Sequence, residues 1–343
     1  MSVSTFSAAK TVVRPASGAS DLKRLPMQTV VILGAGQVAG ALAAELAPRG
    51  IQITAVSRSG KSHTPLPANV AVIAADLTDP AAVARVTAGA DVVFATAQPD
   101  YTKWPEFFPP LMQSILEGLS HSGARLVFVD NLYLYGPTGG APISERSPHN
   151  GHGAKGRTRA AIAQMVLDAH RQGKVMATIG RASDYYGPGV TDAAISAAFF
   201  EAVLAGKTGD LLGNIDLPHT YSYLPDFARA LVTLAEYEVA YGRAWHAPNA
   251  ETITTRQFVG YVEKALGRPV KVRVAGKLMV YMMGLFIPIL REFPELMYEF
   301  DAPYVVDDGD FRRTFAATGI HTTPWDEGVA ATVAWYQARA AKR

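Results

Sequence analysis

Residues 29–46, TVVILGAGQVAGALAAEL, decide the fold of this chain. A β-branched apolar run is followed by Gly34, Gly36 and Gly40, and a segment rich in alanine and leucine comes next. This order predicts a buried strand, a tight turn and a helix, as in the phosphate-binding unit of dinucleotide folds. There, Gly34 permits the sharp exit from the strand, Gly36 lets backbone N–H groups approach a pyrophosphate at the positive end of the helix, and Gly40 lets the helix pack closely on the sheet. A purely structural turn also favours glycine, so the rest of the chain must support the cofactor interpretation.

The composition indicates a globular chain that binds a small molecule. Its 343 residues and 49% hydrophobic content suit one large α/β domain with a smaller appended part. The net charge is +2, without a long basic run, so neither nucleic acid nor an anionic membrane is the expected partner. Cysteine is absent, which excludes disulfides and thiolate chemistry and fits a reducing cytoplasm. We therefore expect a cytoplasmic monomer or homodimer.

Residues 1–26 are rich in serine and alanine and have no sustained helical or strand period. We expect a flexible leader. An organelle transit peptide has a similar composition, whereas Met27, directly before the first strand, looks like an alternative start. The longest apolar run, 278–290, is shorter than the roughly 20 residues that a membrane-spanning helix needs.

Apolar segments alternate with helical patterns along the chain. Short apolar runs predict strands at 51–56, 70–74, 91–95, 125–129 and 175–179. Helical patterns lie between and after them, at 81–86, 106–121, 157–170, 193–205, 225–238 and 254–266. Repeated βαβ units predict a doubly wound parallel sheet of the Rossmann type, with ligands at the carboxyl ends of its strands.

The ends of the second and third strands bear on the choice of cofactor. Arg58 lies where a site that prefers NAD would place a carboxylate, and Lys61 is close by. An arginine can hold a 2′-phosphate in a charge-assisted fork, so NADP(H) is favoured and NAD(H) remains possible; the alternative is a solvated loop charge. Asp76 can accept a hydrogen bond from the adenine amino group or simply cap the next helix.

Several motifs appear in a familiar order: the glycine turn, ADLTD (75–79), LYLYGP (132–137), RASDYYGPG (181–189) and YSYLPDFARALVTL (221–234). In this order the chain resembles the extended short-chain dehydrogenases, the NAD(P)-dependent epimerases, dehydratases and reductases, over roughly residues 27–336. The resemblance implies a seven-stranded nucleotide domain. We divide the chain into a leader (1–26), a Rossmann domain that binds NAD(P) (27–180), and a mixed segment (181–343) that completes the sheet and forms the substrate-binding part.

The sequence departs from that family at the catalytic signature. Most members carry Ser or Thr after the fifth strand and a Tyr-x-x-x-Lys pair on the next helix. Here the Ser/Thr position falls on Asn131, and a match without gaps through KGRTRAAIAQMVL puts Lys155 and Arg159 at the Tyr and Lys positions. The predicted cofactor-binding set is Gly34, Gly36, Gln37, Val38, Gly40, Arg58, Asp76, Leu77, Ala95, Thr96, Ala97 and Arg159.

Two interpretations retain catalysis. In the first, Tyr133 is the acid or base, its pKa is lowered by Lys155, Asn131 donates to a carbonyl oxygen, and Arg159 takes over the ribose contact. In the second, Lys155 itself donates the proton or clamps an oxyanion. The structural alternatives are packing of Tyr133 and Tyr135 at the sheet edge and a solvated charge cluster at the start of the helix.

A third interpretation is a redox sensor or scaffold that binds NADP(H) without turnover. Against it stand the polar and aromatic residues of the expected cleft, namely Tyr101, Trp104, Asp184, Tyr185, His219 and Tyr221. No metal-ligand spacing is present. The sequence therefore predicts an NADP(H)-dependent oxidoreductase or epimerase that transfers hydride at a carbonyl or alcohol carbon of a small molecule, with a non-standard acid/base site.

Overall fold

The strand of the unit predicted from residues 29–46 is an interior strand of a parallel sheet, and the predicted helix follows it. A computed structural model of the chain describes residues 22–276, 282 and 294–342. The sheet consists of β1 (Thr29–Leu33), β2 (Gln52–Ser57), β3 (Val70–Ala74), β4 (Val92–Ala95), β5 (Arg125–Asp130), β6 (Ala177–Arg181) and β11 (Ala244–His246). Its order is β11-β6-β5-β4-β1-β2-β3, and every neighbouring pair is parallel. The predicted doubly wound α/β fold is confirmed.

Helices cover both faces of this sheet, which explains why its central strands are almost uniformly apolar. The helices concerned are α1 (Gln37–Leu46), α2 (Pro80–Thr87), α3 (Trp104–Ser120), α4 (Ala154–Arg171) and α6 (Leu224–Glu236). One hydrophobic cluster joins side chains of α2, α3 and α4 to one face of the sheet. A second cluster joins α1 and α6 to the other face.

Element boundaries differ from the sequence predictions by a few residues, for local reasons. Helix α4 begins at Ala154, because Arg157 N donates to the carbonyl of Gly153 and starts the helical hydrogen bonding there. Strand β6 begins at Ala177, two residues later than expected, because the N–H groups of residues 174 and 175 bond back to Ala169 O and close the preceding helix.

The remaining elements form a smaller layer beside the sheet. Three short strand pairs join β7 (Asp184–Tyr186) to β10 (Tyr221–Tyr223), β8 (Gly209–Leu212) to β13 (Val272–Ala275), and β9 (Pro218–His219) to β12 (Ile253–Thr254). A third hydrophobic cluster packs α5 (Ala197–Leu204), α7 (Thr255–Leu266) and α10 (Trp325–Ala341) together. Thr254 caps α7 in a capping box with Gln257. Two short helices, α8 (Tyr298–Asp301) and α9 (Gly309–Thr314), precede α10.

The structure describes two segments of the chain only in part. Most of the aromatic and methionine-rich stretch 277–299 lies outside the described residues, as do residues 1–21 of the expected leader. Residues 22–26 are not free: Leu25 N donates to Glu236 O, and Arg24 forms an ion pair with the Glu236 carboxylate. Within the described residues, no helix combines the length and apolar character that crossing a membrane requires.

Candidate active site

A cleft of about 1240 Å³ opens at the carboxyl ends of the parallel strands. The chain runs from β1 to β2 and β3 on one side and to β4, β5 and β6 on the other, so β1 borders the topological switch point where such sheets bind ligands. The cleft is lined by segments at the ends of six strands, at 34–38, 57–59, 76–78, 96–101, 131–133 and 182–185, and by residues 296–304 from the opposite side.

The glycine turn forms one end of the cleft in the way that a pyrophosphate requires. Gly34 has φ of +123°, and a Cβ there would lie 2.9 Å from Ala97 N, so no other residue fits without a shift. Gly36 is the N-cap of α1 and offers the helix no side-chain hydrogen bond. A Cβ on Gly36 would meet no protein atom within 4 Å, which leaves the helix N-terminus open to the cleft. The turn therefore fits the phosphates of a dinucleotide.

Of the other cofactor-binding residues predicted in α1, two line the cleft and one does not. Gln37 and Val38 line the cleft, and Gln37 Oε1 accepts from the N–H groups of Thr191 and Asp192, which fastens a later loop to the glycine turn. Gly40 does not line it. Its missing Cβ makes room for Thr64, whose Oγ1 would lie 2.9 Å away, so the expectation that Gly40 serves close packing on the sheet was wrong.

Arg58, Asp76 and Leu77 line the same end of the cleft, as predicted, while Lys61 does not. The Thr78 N–H and hydroxyl both donate to Asp76 Oδ1, at 2.9 and 2.7 Å, and the backbone hydrogen bond is the leading reason why the pKa of Asp76 is lowered. Asp79, not Asp76, caps α2 through a 2.9 Å bond from Ala81 N. The alternative of Asp76 as a helix cap is therefore wrong.

The strand end after β4 is only partly as predicted. Thr96 and Ala97 line the cleft, and both N–H groups donate to Leu33 O, at 2.9 and 2.7 Å. Ala95 is buried in the hydrophobic cluster below and does not reach the cleft. Its place in the cofactor-binding set is therefore not supported.

Arg159 lies on the floor of the cleft in a buried network. Its Nη1 lies 3.3 Å from Asp130 Oδ1, its Nη2 donates to Gln98 Oε1 at 3.0 Å, and its guanidinium stacks 4.2 Å from the Trp104 ring centroid. Arg181 holds the second Asp130 oxygen at 2.9 Å. Within the described part of the chain, buried Arg159 Nε and Ser183 Oγ have no hydrogen-bond partner. Both residues line the cleft, so polar groups of a bound cofactor can satisfy them.

Tyr133 and Asn131 both line the cleft. Asn131 Oδ1 accepts from Tyr133 N at 3.2 Å, and the Tyr101 hydroxyl donates to the Tyr133 oxygen at 3.4 Å. Burial, with a smaller contribution from neighbouring Tyr101, raises the pKa of Tyr133 well above its usual value. The expected lowering of this pKa by Lys155 was wrong. The Tyr133 phenol is a neutral hydrogen-bond donor at neutral pH.

Lys155 is placed differently from either sequence interpretation. It is 1% exposed and does not line the cleft. Its Nζ lies 3.3 Å from Glu295 Oε1 and 4.4 Å from the centroid of the Tyr101 ring. Lys155 is therefore not part of a solvated charge cluster. It also does not reach the cleft, where a residue that donates a proton to the substrate would have to lie. Lys155 supports the outer face of Tyr101.

Tyr135 belongs to a buried network behind the sheet end. Its oxygen accepts from Arg181 Nη1 at 2.6 Å, and its O–H donates to His246 Nε2 at 2.8 Å. His246 Nδ1 donates to Asp307 O at 3.0 Å. Burial, reinforced by Arg181, lowers the pKa of His246 to about 3, so this imidazole is neutral and the donor order is fixed. The packing interpretation holds for Tyr135.

A carboxyl cluster that the sequence analysis missed faces the cleft from α8. Glu299 is buried, lines the cleft and accepts a 3.2 Å hydrogen bond from the Tyr304 hydroxyl. Burial, and then the charge of nearby Asp184, raise the pKa of Glu299 well above its usual value. The Glu299 carboxyl therefore keeps its proton to a higher pH than a carboxyl in water. Glu299 follows a stretch rich in aromatic residues and methionine, so no local pattern in the sequence marks it.

His219 contacts both Glu299 and Asp184. Its Nδ1 lies 3.1 Å from Glu299 O and its Nε2 lies 2.8 Å from Asp184 Oδ2. A carbonyl oxygen can only accept, so Nδ1 is the donor, and the Nε2 contact needs a second proton shared with Asp184. Of the predicted cleft residues, Tyr101, Trp104, Asp184 and Tyr185 line it, whereas His219 and Tyr221 do not. In the described ranges, no three His, Asp or Glu side chains are grouped to hold a metal ion.

Solved structures share this architecture. UDP-glucuronic acid 4-epimerase from Bacillus cereus, in complex with NAD, is 15% identical with a TM-score of 0.71, over 91% of this chain and 99% of that one. A dTDP-glucose 4,6-dehydratase from Streptomyces venezuelae, with NAD bound, is 19% identical with a TM-score of 0.72, over 92% and 98%. The epimerase Mth375 from Methanothermobacter thermautotrophicus is 16% identical with a TM-score of 0.76, over 92% and 94%.

The sequence comparisons identify the family of the chain but no individual relative. No curated protein sequence gives a significant match to the chain. The family model described as the NAD dependent epimerase/dehydratase family matches residues 30–245, which is more than half of the chain. That span contains the glycine turn and every strand of the parallel sheet up to Trp245. The chain belongs to the NAD dependent epimerase/dehydratase family.

Proposed function

We propose that this protein is an NADPH-dependent reductase of a small-molecule carbonyl compound, with Tyr133 as the proton donor. The observation that carries the proposal is the Tyr101–Tyr133 pair at the cleft. Because Tyr101 donates to the Tyr133 oxygen, the Tyr133 hydrogen is left for a ligand. A nicotinamide dinucleotide, when bound, supplies the hydride.

The chain's own residues hold the cofactor and the reacting oxygen. The N–H groups at the start of α1 donate to the pyrophosphate, and the absence of a side chain at Gly36 leaves room for it. Arg159 Nε and Ser183 Oγ are buried donors for polar groups of the nicotinamide half. The Asn131 side-chain oxygen is engaged by Tyr133 N, which turns its amide N–H₂ toward a substrate oxygen as a second donor beside Tyr133.

The pKa values favour reduction over alcohol oxidation. Reduction makes an alkoxide, a far stronger base than phenolate, so a neutral phenol protonates it readily. Oxidation needs the Tyr133 phenolate as base, and burial makes that form scarce at neutral pH. Epimerisation requires the same group to work in both directions, so it is the less favoured reaction here.

The test of this proposal is Tyr133→Phe. Loss of general acid catalysis typically costs 10²–10⁴-fold, so kcat for NADPH-dependent reduction should fall by about 10²-fold or more. The Kd for NADPH, measured by fluorescence titration, should stay within about twofold. Tyr135→Phe is the matched control, since that hydroxyl lies behind the cleft. Full activity in Tyr133→Phe, or tight NADPH binding without turnover of any carbonyl compound, would contradict the proposal.

NADP(H) is proposed over NAD(H) because Arg58 follows β2 at the cleft and is exposed to a ligand there. Arg58→Glu should weaken NADPH binding at least about tenfold more than NADH binding, since it replaces a charge-assisted contact by a repulsive one. Arg85→Glu, on the exposed side of α2, controls for the change in net charge. Equal losses for the two cofactors would remove Arg58 from the 2′-phosphate site.

A further inference from the structure

We propose that the substrate is an uncharged, largely apolar carbonyl compound, aromatic or alicyclic, that carries no phosphate or nucleotide group. This inference rests on the proposed reductase function and names the substrate of the same cleft. It depends on what lines the cleft beyond the cofactor end. That region, which we call the aromatic half, is formed by Tyr101, Trp104, Phe107, Phe108, Leu111, Leu296, Phe300 and Tyr304.

The aromatic half is apolar on both sides. The first turns of α3 supply one wall, where Trp104 packs edge to face against Tyr101 and Phe108, at 4.9 and 5.5 Å between ring centroids. Phe300 and Tyr304 supply the other. Phe107, on the first wall, is 44% exposed, one of few large apolar side chains in the described chain left this open. An apolar molecule that covers Phe107 gains the free energy of burying both surfaces.

The charges in this half do not suit a phosphate. Two described cationic side chains border it. The Lys103 Nζ lies 5.7 Å from the Phe107 ring centroid. The Arg159 guanidinium lies 4.2 Å from the Trp104 ring centroid, and its two Nη atoms are already engaged by Asp130 and Gln98. Asp100 and Asp184 line the same region, so carboxyl groups lie beside any ligand placed there. A diphosphate placed there would meet acidic side chains and would lack the arginine forks that bind phosphate well.

Three described arginines of the smaller layer are engaged away from the cleft. Arg256 forms a two-bond pair with Asp216 and Arg273 does the same with Asp210, both at exposed sites away from the cleft. Arg312 pairs with Asp308. None of these three lines the cleft. The described layer that closes the substrate side thus offers acids and aromatic rings to the ligand.

The size of the cleft agrees with a second ligand beside the dinucleotide. Pockets for a single drug-sized molecule measure about 300–1,000 Å³, and this cleft is larger, at about 1240 Å³. A compact ketone or aldehyde of one or two rings fits the space that the aromatic half adds. Its carbonyl oxygen would then meet the donors on Tyr133 and Asn131, while its ring covers Phe107.

The experiment measures binding and turnover separately on the full chain loaded with NADP⁺ or NADPH. Acetophenone, 1-tetralone and 2-naphthaldehyde are the apolar probes, and UDP and UDP-glucose are the nucleotide probes. The apolar probes should raise the Tm of the NADP⁺ complex, and UDP and UDP-glucose should leave it unchanged. Phe107→Asp should weaken binding of the apolar probes about tenfold, the value of losing one buried aromatic contact. Val239→Asp, at an apolar side chain 48% exposed outside the cleft, is the control.

The outcomes separate this inference from the proposed function. If UDP or UDP-glucose binds and every apolar probe fails to bind, the substrate inference is overturned while NADPH-dependent reduction can still hold. If no probe of either class binds, the inference is overturned as well. If apolar probes bind the NADPH complex, in a manner sensitive to Phe107→Asp, but NADPH is never oxidised, the binding inference stands and the reductase function fails.

Discussion

The buried carboxyl of Glu299 makes the stability of the chain depend on pH. Its pKa in the folded chain lies well above the value of about 4.3 expected when unfolded, because of burial and the charge of Asp184. Between these two values the folded chain keeps a proton that the unfolded chain has released. The free energy of unfolding therefore falls as pH rises through this window, by up to about 1.4 kcal/mol per pH unit.

Glu299→Gln removes this dependence and keeps the acceptor for the Tyr304 hydroxyl. Urea unfolding from pH 4 to 8 should show that the wild type loses more stability with rising pH than Glu299→Gln does. The two proteins should be closest in stability near pH 4, where Glu299 is protonated in both states. Parallel curves across the whole range would mean that Glu299 ionises in the folded chain as freely as in water.

Single residues show what the sequence can and cannot predict. Arg58, Asn131 and Tyr133 were located correctly at the cleft because each follows a parallel strand, and strand ends meet along one edge. Lys155 was located by counting along a helix, yet its side chain turns to Glu295, which lies far away in sequence. Glu299 was missed because its protonation depends on burial against Asp184, which only the folded chain provides.

In the glycine turn, we expect Gly34 to be needed for stability and Gly36 to be needed for cofactor binding. Gly34→Ala forces a side chain into a φ of +123° and against Ala97 N, which should cost about 1–3 kcal/mol of stability. Gly36→Ala places a methyl group in space that no protein atom occupies, at a backbone φ of −95°, so its Tm should stay near that of the wild type. Its affinity for NADPH should nevertheless fall about tenfold or more, because the methyl group crowds the pyrophosphate.

Thermal unfolding without cofactor and NADPH titration together check this pair. The expected pattern is a lowered Tm for Gly34→Ala and weakened binding with a normal Tm for Gly36→Ala. Normal NADPH affinity in Gly36→Ala would show that the phosphates do not approach the start of α1. Gly60→Ala is a control for the general effect of replacing a glycine of positive φ outside the cleft.

Elements with a strong internal period were predictable and the short ones were not. Six of the seven strands of the sheet were found to within about two residues, because each contains a largely apolar run. The three-residue edge strand β11 was not predicted. Strands β7, β9, β10 and β12 have two or three residues, too few to show a period. They are strands because of their partners, as when Tyr221 meets Asp184 in the β10–β7 pair.

For the whole molecule, alternation of strands and helices predicted the sheet, and the resemblance added the smaller layer. Neither predicted the buried ion pairs that Asp130 forms with Arg159 and Arg181. The side chain of Asp130, at the end of β5, is fully buried and binds Arg159 of α4 and Arg181 of β6. One carboxylate thus joins three elements of the domain and sets the position of the arginine on the cleft floor. Such a junction cannot be deduced locally, because the two arginines lie 29 and 51 residues after Asp130 in the sequence.

Removing that carboxylate should destabilise the whole fold. Asp130→Asn leaves two buried guanidinium groups close together without a counter-charge, and breaking a buried pair in this way typically costs about 3–5 kcal/mol. A loss of this size is a large share of the 5–15 kcal/mol that usually stabilises a domain. Asp216→Asn is the matched control, because it breaks an Asp–Arg pair whose side chains are both 60% exposed, where solvent screens the interaction and little change is expected. Urea unfolding of both variants measures the difference, and equal midpoints would show that Asp130 does not compensate the two arginines.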